Sequence, residues 1–301
     1  MIFNLLKVYL IRFSKLILSR LGGRLLTHKN ILLTIIFGLF MIILSACGMS
    51  NKEMAGIDNW EHYQKEKKIT IGFDNTFVPM GFESRSGDYI GFDIDLANAV
   101  FKEYGISVKW QPINWDMKET ELNNGNIDLI WNGYSKTAER AKKVAFTNPY
   151  MNNHQVIVTK TSSHINSIKD MKGKKLGAQS GSSGFDAFNA KPDILKKFVK
   201  GKEAVQYDTF TQALIDLKNN RIDGLLIDEV YANYYLKQEG NIKAYYFVKT
   251  AYQGENFVVG ARKVDRRLIE KINKAFKQLH NKGRFQKISY KWFGEDVYSK
   301  E

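Results

Sequence analysis

From Lys68 to Trp292 short apolar runs alternate with longer stretches whose apolar residues recur at helical spacing. Few folds accommodate that alternation. Strands are expected at 68–73, 108–113, 127–131, 154–160, 175–178, 204–207, 222–227 and 257–261. Helices are expected at 115–123, 137–143, from Gly184 onward, and at 209–219, 229–237, 268–281 and 285–292. One more is expected to be capped by Asp93, to carry Ile94, Ala97, Val100, Phe101 and Tyr104 on one face, and to stop at Gly105. Strands interleaved with helices give an α/β architecture with mainly parallel sheets.

The chain also echoes itself. Leu122–Asp128 (LNNGNID) resembles Leu217–Asp223 (LKNNRID), each closing a helix with a polar turn and opening a buried strand. Helix–turn–strand units resemble one another in general, so this alone does not establish a duplication. The functional reading is two similar lobes, each aiming a strand's carboxyl end at a shared crevice, where ligands of open α/β sheets bind.

The lone cysteine, Cys47, follows an apolar run from Ile31 and the small residues Ser45 and Ala46. The run Ile31–Ala46 is 16 residues, short of the roughly 20 that a membrane-spanning helix needs. Before it stand Lys7, Arg12, Lys15, Arg20, Arg24 and Lys29 with no acid. This order resembles a bacterial lipoprotein signal: residues 1–46 are removed, Cys47 is acylated (palmitate is expected), and 47–68 form a polar tether to the outer face of the cell membrane. The long leader before the apolar run departs from the usual pattern; it reads either as an amphipathic stretch or as an upstream start. Removing the six leader cations changes the net charge from +14 to +8, with 39 basic and 31 acidic residues. That is a moderately basic, lysine-rich surface. No arginine stripe with interleaved aromatics points to nucleic acid. No histidine–cysteine cluster points to a metal, and no cofactor is expected.

Three stretches carry chemistry. In 132–140 (NGYSKTAER) a buried strand runs into a glycine, a hydroxyl and a helix start bearing Arg140, a set suited to a carboxylate. An ordinary solvated arginine behind a Thr137 cap fits equally well. The loop 179–184 (QSGSSG) offers N–H groups and hydroxyls to an oxyanion but lacks the Lys-Ser/Thr ending of a phosphate loop, and taken alone it reads more readily as a plain strand-to-helix turn. Asp228 ends an apolar strand; it either caps the next helix or faces the crevice to hold a cation. Together they describe a receptor for a zwitterion.

The chain resembles the extracellular solute-binding proteins of polar amino-acid ABC importers. The resemblance rests on Ile71–Asp74 with Phe77–Pro79 and Phe82, on Gly91–Leu96, and on Asn132–Arg140 with Asn148–Tyr150. It continues through Met171–Gly177 with the Gln179–Ser183 loop, Ile222–Gly224 with Asp228, and Lys291–Gly294. It runs from about Ile69 to Val297. It implies a periplasmic-binding-protein-like (type II) fold with two lobes, 69–152 plus 254–301 and 155–251, joined by hinge segments near Asn153 and Gln253. It further implies that Arg140, the Ser135 backbone and Ser183, within the loop that includes Gln179 and Ser182, hold the ligand carboxylate. Asp228, Gly133 and Ser135 take the ammonium. Phe77 and Trp115 sandwich the side chain, and Asp74 lies at its tip. Tyr134 departs from the usual aliphatic, and Trp131 is expected in the core. An acid at the tip suits glutamine, asparagine, arginine, lysine or histidine, while the closing segment 291–297 resembles cystine-binding members. The implied partners are a polar amino acid and a membrane permease with a cytoplasmic ATPase, with the protein itself a monomer. No nucleophile–base pair argues for an enzyme. A small-acid dehydratase of this fold and an amino-acid-sensing lipoprotein are the other readings. The anchor is testable first: labelled palmitate enters the wild-type protein, whereas Cys47→Ala takes up none and is released into the medium. Undiminished labelling of the variant would place the anchor elsewhere.

Overall fold

The computed structural model describes residues 57–299; Cys47 and the segment before it lie outside the described residues. Helix α1 (Trp60–Glu66) leads into strand β1 (Lys68–Phe73), then a small antiparallel sheet of β2 (Thr76–Phe77), β3 (Gly81–Glu83) and β4 (Tyr89–Ile90). Helix α2 (Phe92–Lys102), β5 (Ser107–Pro112), a single 3-10 turn Trp115–Met117, α3 (Lys118–Asn123) and β6 (Leu129–Ser135) follow. Next come α4 (Ala138–Ala141), β7 (Ala145–Phe146), β8 (Met151–Asn153), β9 (Gln155–Lys160), β10 (Leu176–Gln179) and α5 (Ser183–Ala190). The chain continues through β11 (Ala204–Tyr207), α6 (Phe210–Lys218), β12 (Gly224–Asp228), α7 (Glu229–Gln238), β13 (Tyr245–Lys249), β14 (Glu255–Ala261), α8 (Arg266–Asn281) and α9 (Arg284–Phe293).

Two sheets organise these elements, in the orders β5-β1-β6-β14-β7, with β8 also on β14, and β11-β10-β12-β9-β13. Each has three adjacent parallel strands followed by one antiparallel strand, β14 in the first and β9 in the second. The chain passes from the first sheet to the second at His154 and returns between Lys249 and Glu255. This is a two-lobe α/β fold of the periplasmic-binding-protein type.

The repeated sequence has a structural counterpart. Asp128 accepts the Thr70 N–H at 2.9 Å, and Asp223 accepts the Lys175 N–H at 2.7 Å, each tying the turn to the start of the neighbouring parallel strand. Ile127 packs onto Gly72, where an added Cβ would lie 2.4 Å from its Cδ1; Ile222 does the same to Gly177 at 2.5 Å. Equivalent residues therefore lock β1 to β6 and β10 to β12.

Several local expectations change. Asp93 does not cap α2: Gly91 occupies the cap position without a side-chain bond, and Asp93 turns into the core. The residues 47–68, expected as a tether, are folded over their described part. In α1 only Trp60 and Tyr63 are buried, too sparse a pattern to read as a helix. Strand β6 runs on to Ser135, beyond the expected end at Trp131, because β14 pairs with it as far as Phe257↔Ser135. The hairpin strands β2–β4 and the edge strand β13 were not expected; β13 lacks a clean polar alternation, with burial varying along its aromatic run. Trp131 lies in the core against Tyr150 and Phe276, as expected.

A buried charge cluster pins α1 to the first lobe. Arg262 donates to Asp265 at 2.9 Å, to Asp128 at 3.0 Å and to the Ile127 carbonyl at 2.9 Å, and also to the Tyr63 hydroxyl. Arg262→Met should lower unfolding stability by about 3–5 kcal/mol, since the buried Asp265 and the half-buried Asp128 lose their cation. Urea unfolding checks this, and a loss under about 1 kcal/mol would contradict it.

Candidate functional site

The carboxyl ends of β1, β6, β10 and β12 meet between the lobes. Asp74, just past β1, accepts the Thr76 N–H at 2.9 Å and hydroxyl at 2.7 Å on one oxygen. Its other oxygen accepts Gln179 Nε2, from the second lobe, at 2.8 Å. Burial raises the Asp74 carboxyl above its ordinary range, opposed by those bonds. Asp74 and Gln179 are equivalent positions of the repeat, each two residues past its strand glycine, so the repeat places them opposite each other.

Arg140 rides on the four-residue α4, whose Thr137 hydroxyl accepts the Arg140 N–H at 3.1 Å. Its guanidinium donates to the Ser135 carbonyl at 2.9 Å and, across the cleft, to the Gly181 carbonyl at 2.9 Å. The Tyr134 ring lies beneath it, 4.7 Å from Cζ, and the Tyr134 hydroxyl donates to Glu119 at 2.9 Å. The unusual Tyr134 is thus a fully buried platform for Arg140. Sequence reasoning missed Lys118, which is buried and donates to the Trp115 carbonyl at 3.0 Å and the Gly181 carbonyl at 2.8 Å. Burial, together with the neighbouring Arg140 charge, pushes its ammonium down to about 8. Two cations of the first lobe therefore hold one carbonyl of the second. Gly181 has φ +67°, and an added Cβ would lie 2.8 Å from the Asp116 Cα, so a side chain would block that approach.

The remaining expected residues divide. Ser183 Oγ lies 3.2 Å from Ser135 Oγ, each hydroxyl from a different lobe. Ser182 instead caps α5, accepting the Phe185 N–H at 3.1 Å and donating to the Gln179 carbonyl at 2.8 Å, so its hydroxyl closes its own loop. Phe77 packs on Tyr231 and Phe210 of the second lobe, with ring centroids 5.3 and 5.9 Å away. Trp115 packs edge-on to Tyr134 at 6.0 Å. Gly133 sits between these groups. Its φ is +57°, an added Cβ would lie 2.8 Å from the Phe77 ring, and its N–H donates to Asp93 at 2.7 Å.

Asp228 occupies the cap position of α7 but makes no capping bond. It points to the seam between the lobes, where Asn153 Nδ2 and Gln155 Nε2 donate to it at 2.6 and 2.9 Å. The same two amides also reach Glu255, both at 3.2 Å. Their own oxygens are buried without hydrogen-bond partners, at about 1–3 kcal/mol each. Two carboxylates thus dictate how both amides point. Burial and the Glu255 charge push the Asp228 carboxyl well up. Asn153, Gln155 and Glu255 gave no sequence signal, because each sits alone at a strand end. A cleft of about 920 Å³ opens over Arg140, Ser183 and Glu255. Among the described residues no group of histidine, cysteine and acidic side chains could hold a metal ion.

A model of the bacterial extracellular solute-binding proteins, family 3, matches residues 69–295. The chain belongs to this family. Among solved structures, this solute-binding protein is 63% identical to a substrate-binding protein of an ABC uptake transporter from Streptococcus pneumoniae, solved with bound histidine. That match covers 81% of this chain and 99% of the other, with a TM-score of 0.80. A polar amino acid ABC uptake transporter substrate-binding protein from Streptococcus thermophilus is 65% identical over 81% of this chain and 93% of its own, with a TM-score of 0.54. Among curated relatives, the arginine-binding extracellular protein ArtP of Bacillus subtilis (strain 168) is 30% identical over 88% of this chain and 98% of its own.

Asp93 makes this site sensitive to pH. It is fully buried, accepts the Gly133 N–H and the Tyr150 hydroxyl, and burial pushes its carboxyl up to about 7. The folded protein keeps a proton that the unfolded chain releases near pH 4. Stability from this group is therefore lost as pH rises from about 4 to 7. Asp93→Asn should match the wild type near pH 4 and exceed it by up to about 4 kcal/mol at pH 8. Parallel melting curves across that range would contradict this.

Proposed function

We propose that this solute-binding protein captures a polar amino acid outside the cytoplasm and delivers it to an ABC permease, and that histidine is the first candidate. The single observation that carries the reading is the convergence of Arg140, Ser135, Ser183 and Asp228 at the strand ends of both lobes. A guanidinium with hydroxyls suits the carboxylate of a zwitterion, and Asp228 suits its ammonium. Asp74 at the far end favours a side chain that donates hydrogen bonds and disfavours an acidic one. Histidine is the ligand of the streptococcal relative that is 63% identical, and the Bacillus relative binds arginine.

The ligand contacts both lobes, so its binding favours the closed arrangement. The chain crosses between the two sheets at His154 and between Lys249 and Glu255, and these crossings are the proposed hinge. Two streptococcal relatives of nearly equal identity superpose on this chain very differently, which fits parts that rotate rather than a changed fold. Acylation at Cys47 would keep the closed protein near its permease.

A thermal-shift screen of all amino acids plus cystine tests the reading, since a ligand of the folded state must raise the melting midpoint. Histidine or another polar amino acid should give a clear shift. Arg140→Ala should bind about 2–5 kcal/mol more weakly, because a desolvated carboxylate loses its partner. Undiminished affinity in that variant would move the carboxylate site elsewhere. Turnover of a small acid such as prephenate or arogenate would overturn the transport reading.

A further inference from the structure

We propose that Glu255 is a second carboxylate of the ammonium subsite, sharing the ligand's positive charge with Asp228 and making the cleft selective for ligands that carry an α-ammonium. This rests on the reading that the cleft holds an amino acid.

Glu255 opens β14, the strand that returns the chain to the first lobe. One of its oxygens accepts from Ser135 Oγ at 2.8 Å, Ser183 Oγ at 3.0 Å, and Asn153 Nδ2 and Gln155 Nε2 at 3.2 Å. Asp228 takes hydrogens from those same two amides at 2.6 and 2.9 Å. Two carboxylates are thereby held side by side by one pair of NH₂ groups. Neutral donors solvate this pair but do not neutralise it, and like charges held this close, Asp228 buried and Glu255 half-buried, repel unless a cation or a proton joins them.

The cations nearby are directed elsewhere. Arg140 donates to the carbonyls of Ser135 and Gly181 and pairs with Glu119 and Asp186; Lys118 donates to those of Trp115 and Gly181 and pairs with Glu119. Neither makes a hydrogen bond or ion pair to Asp228 or Glu255 among the described residues. A primary ammonium brings one charge and three N–H donors, enough to bridge both acids. The donors around Glu255 come from both lobes, Ser135 and Asn153 from one and Gln155 and Ser183 from the other. An ammonium bound there therefore completes a contact between the lobes.

Isothermal titration of the detergent-purified full chain with L-histidine and with 3-(imidazol-4-yl)propionate, which is histidine without its amino group, separates this role from a structural one. Glu255→Gln should weaken histidine binding about tenfold or more and leave the analogue within about twofold of wild type. Glu255→Asp, which keeps the charge, should restore part of the histidine affinity. Where the analogue is too weak to titrate, a histidine loss at an unchanged melting midpoint supports the role equally. An equal loss for both ligands, or no loss for histidine, overturns the role of Glu255. Wild-type protein that binds no amino acid would instead sink the transport reading itself.

Discussion

A carboxylate buried at the end of an apolar strand must be met by donors, and in this protein many of those donors come from the opposite lobe. Asp74 of the first lobe takes its bond from Gln179 of the second. Glu255 of the first is met by Ser183 and Gln155 of the second, and Asp228 of the second by Asn153 of the first. The carbonyl of Gly181 answers two cations from across the cleft in the same way. Each lobe buries charge that the other satisfies, so the energetics of the cleft and the approach of the lobes are one problem. Groups arranged like this favour a ligand that carries both signs of charge.

The duplicated helix–turn–strand unit explains how the chain builds two such faces. Asp128 and Asp223 tie equivalent turns to equivalent strands, and Gly72 and Gly177 admit Ile127 and Ile222 against the backbone. With the strands registered identically, the residue two places beyond each glycine emerges at the crevice. One is Asp74 and the other Gln179, which meet each other. The repeat supplies the geometry; the difference between an acid and an amide at that place supplies the bond.

Much of this was legible in the sequence. The alternation of strands and helices and the strands feeding the site could be read from hydrophobic periodicity. Ser135, Arg140, the Gln179–Ser183 loop and Asp228 stood out as polar groups following buried strands, whereas Asp74 was expected at the site only through the family resemblance. What escaped had physical reasons. Asp93 looked like a helix cap because an acid before an apolar helical face usually is one, yet it sits in the core beneath Gly133. Lys118 carried no sequence signal; its bond to the Gly181 carbonyl depends on the three-dimensional approach of the second lobe. Asn153, Gln155 and Glu255 lie at the crossings between lobes, and single polar residues there carry no periodic signal. Helix α1 was hidden because only two of its residues face the core.

The most direct test of the two-sided zwitterion site is a crystal structure of the protein grown with L-histidine. The account predicts one ligand between the lobes, its carboxylate on Arg140 and Ser183, its ammonium on Asp228 and its ring directed toward Asp74. A ligand bound outside the cleft, or one whose carboxylate faces Asp228, would contradict it.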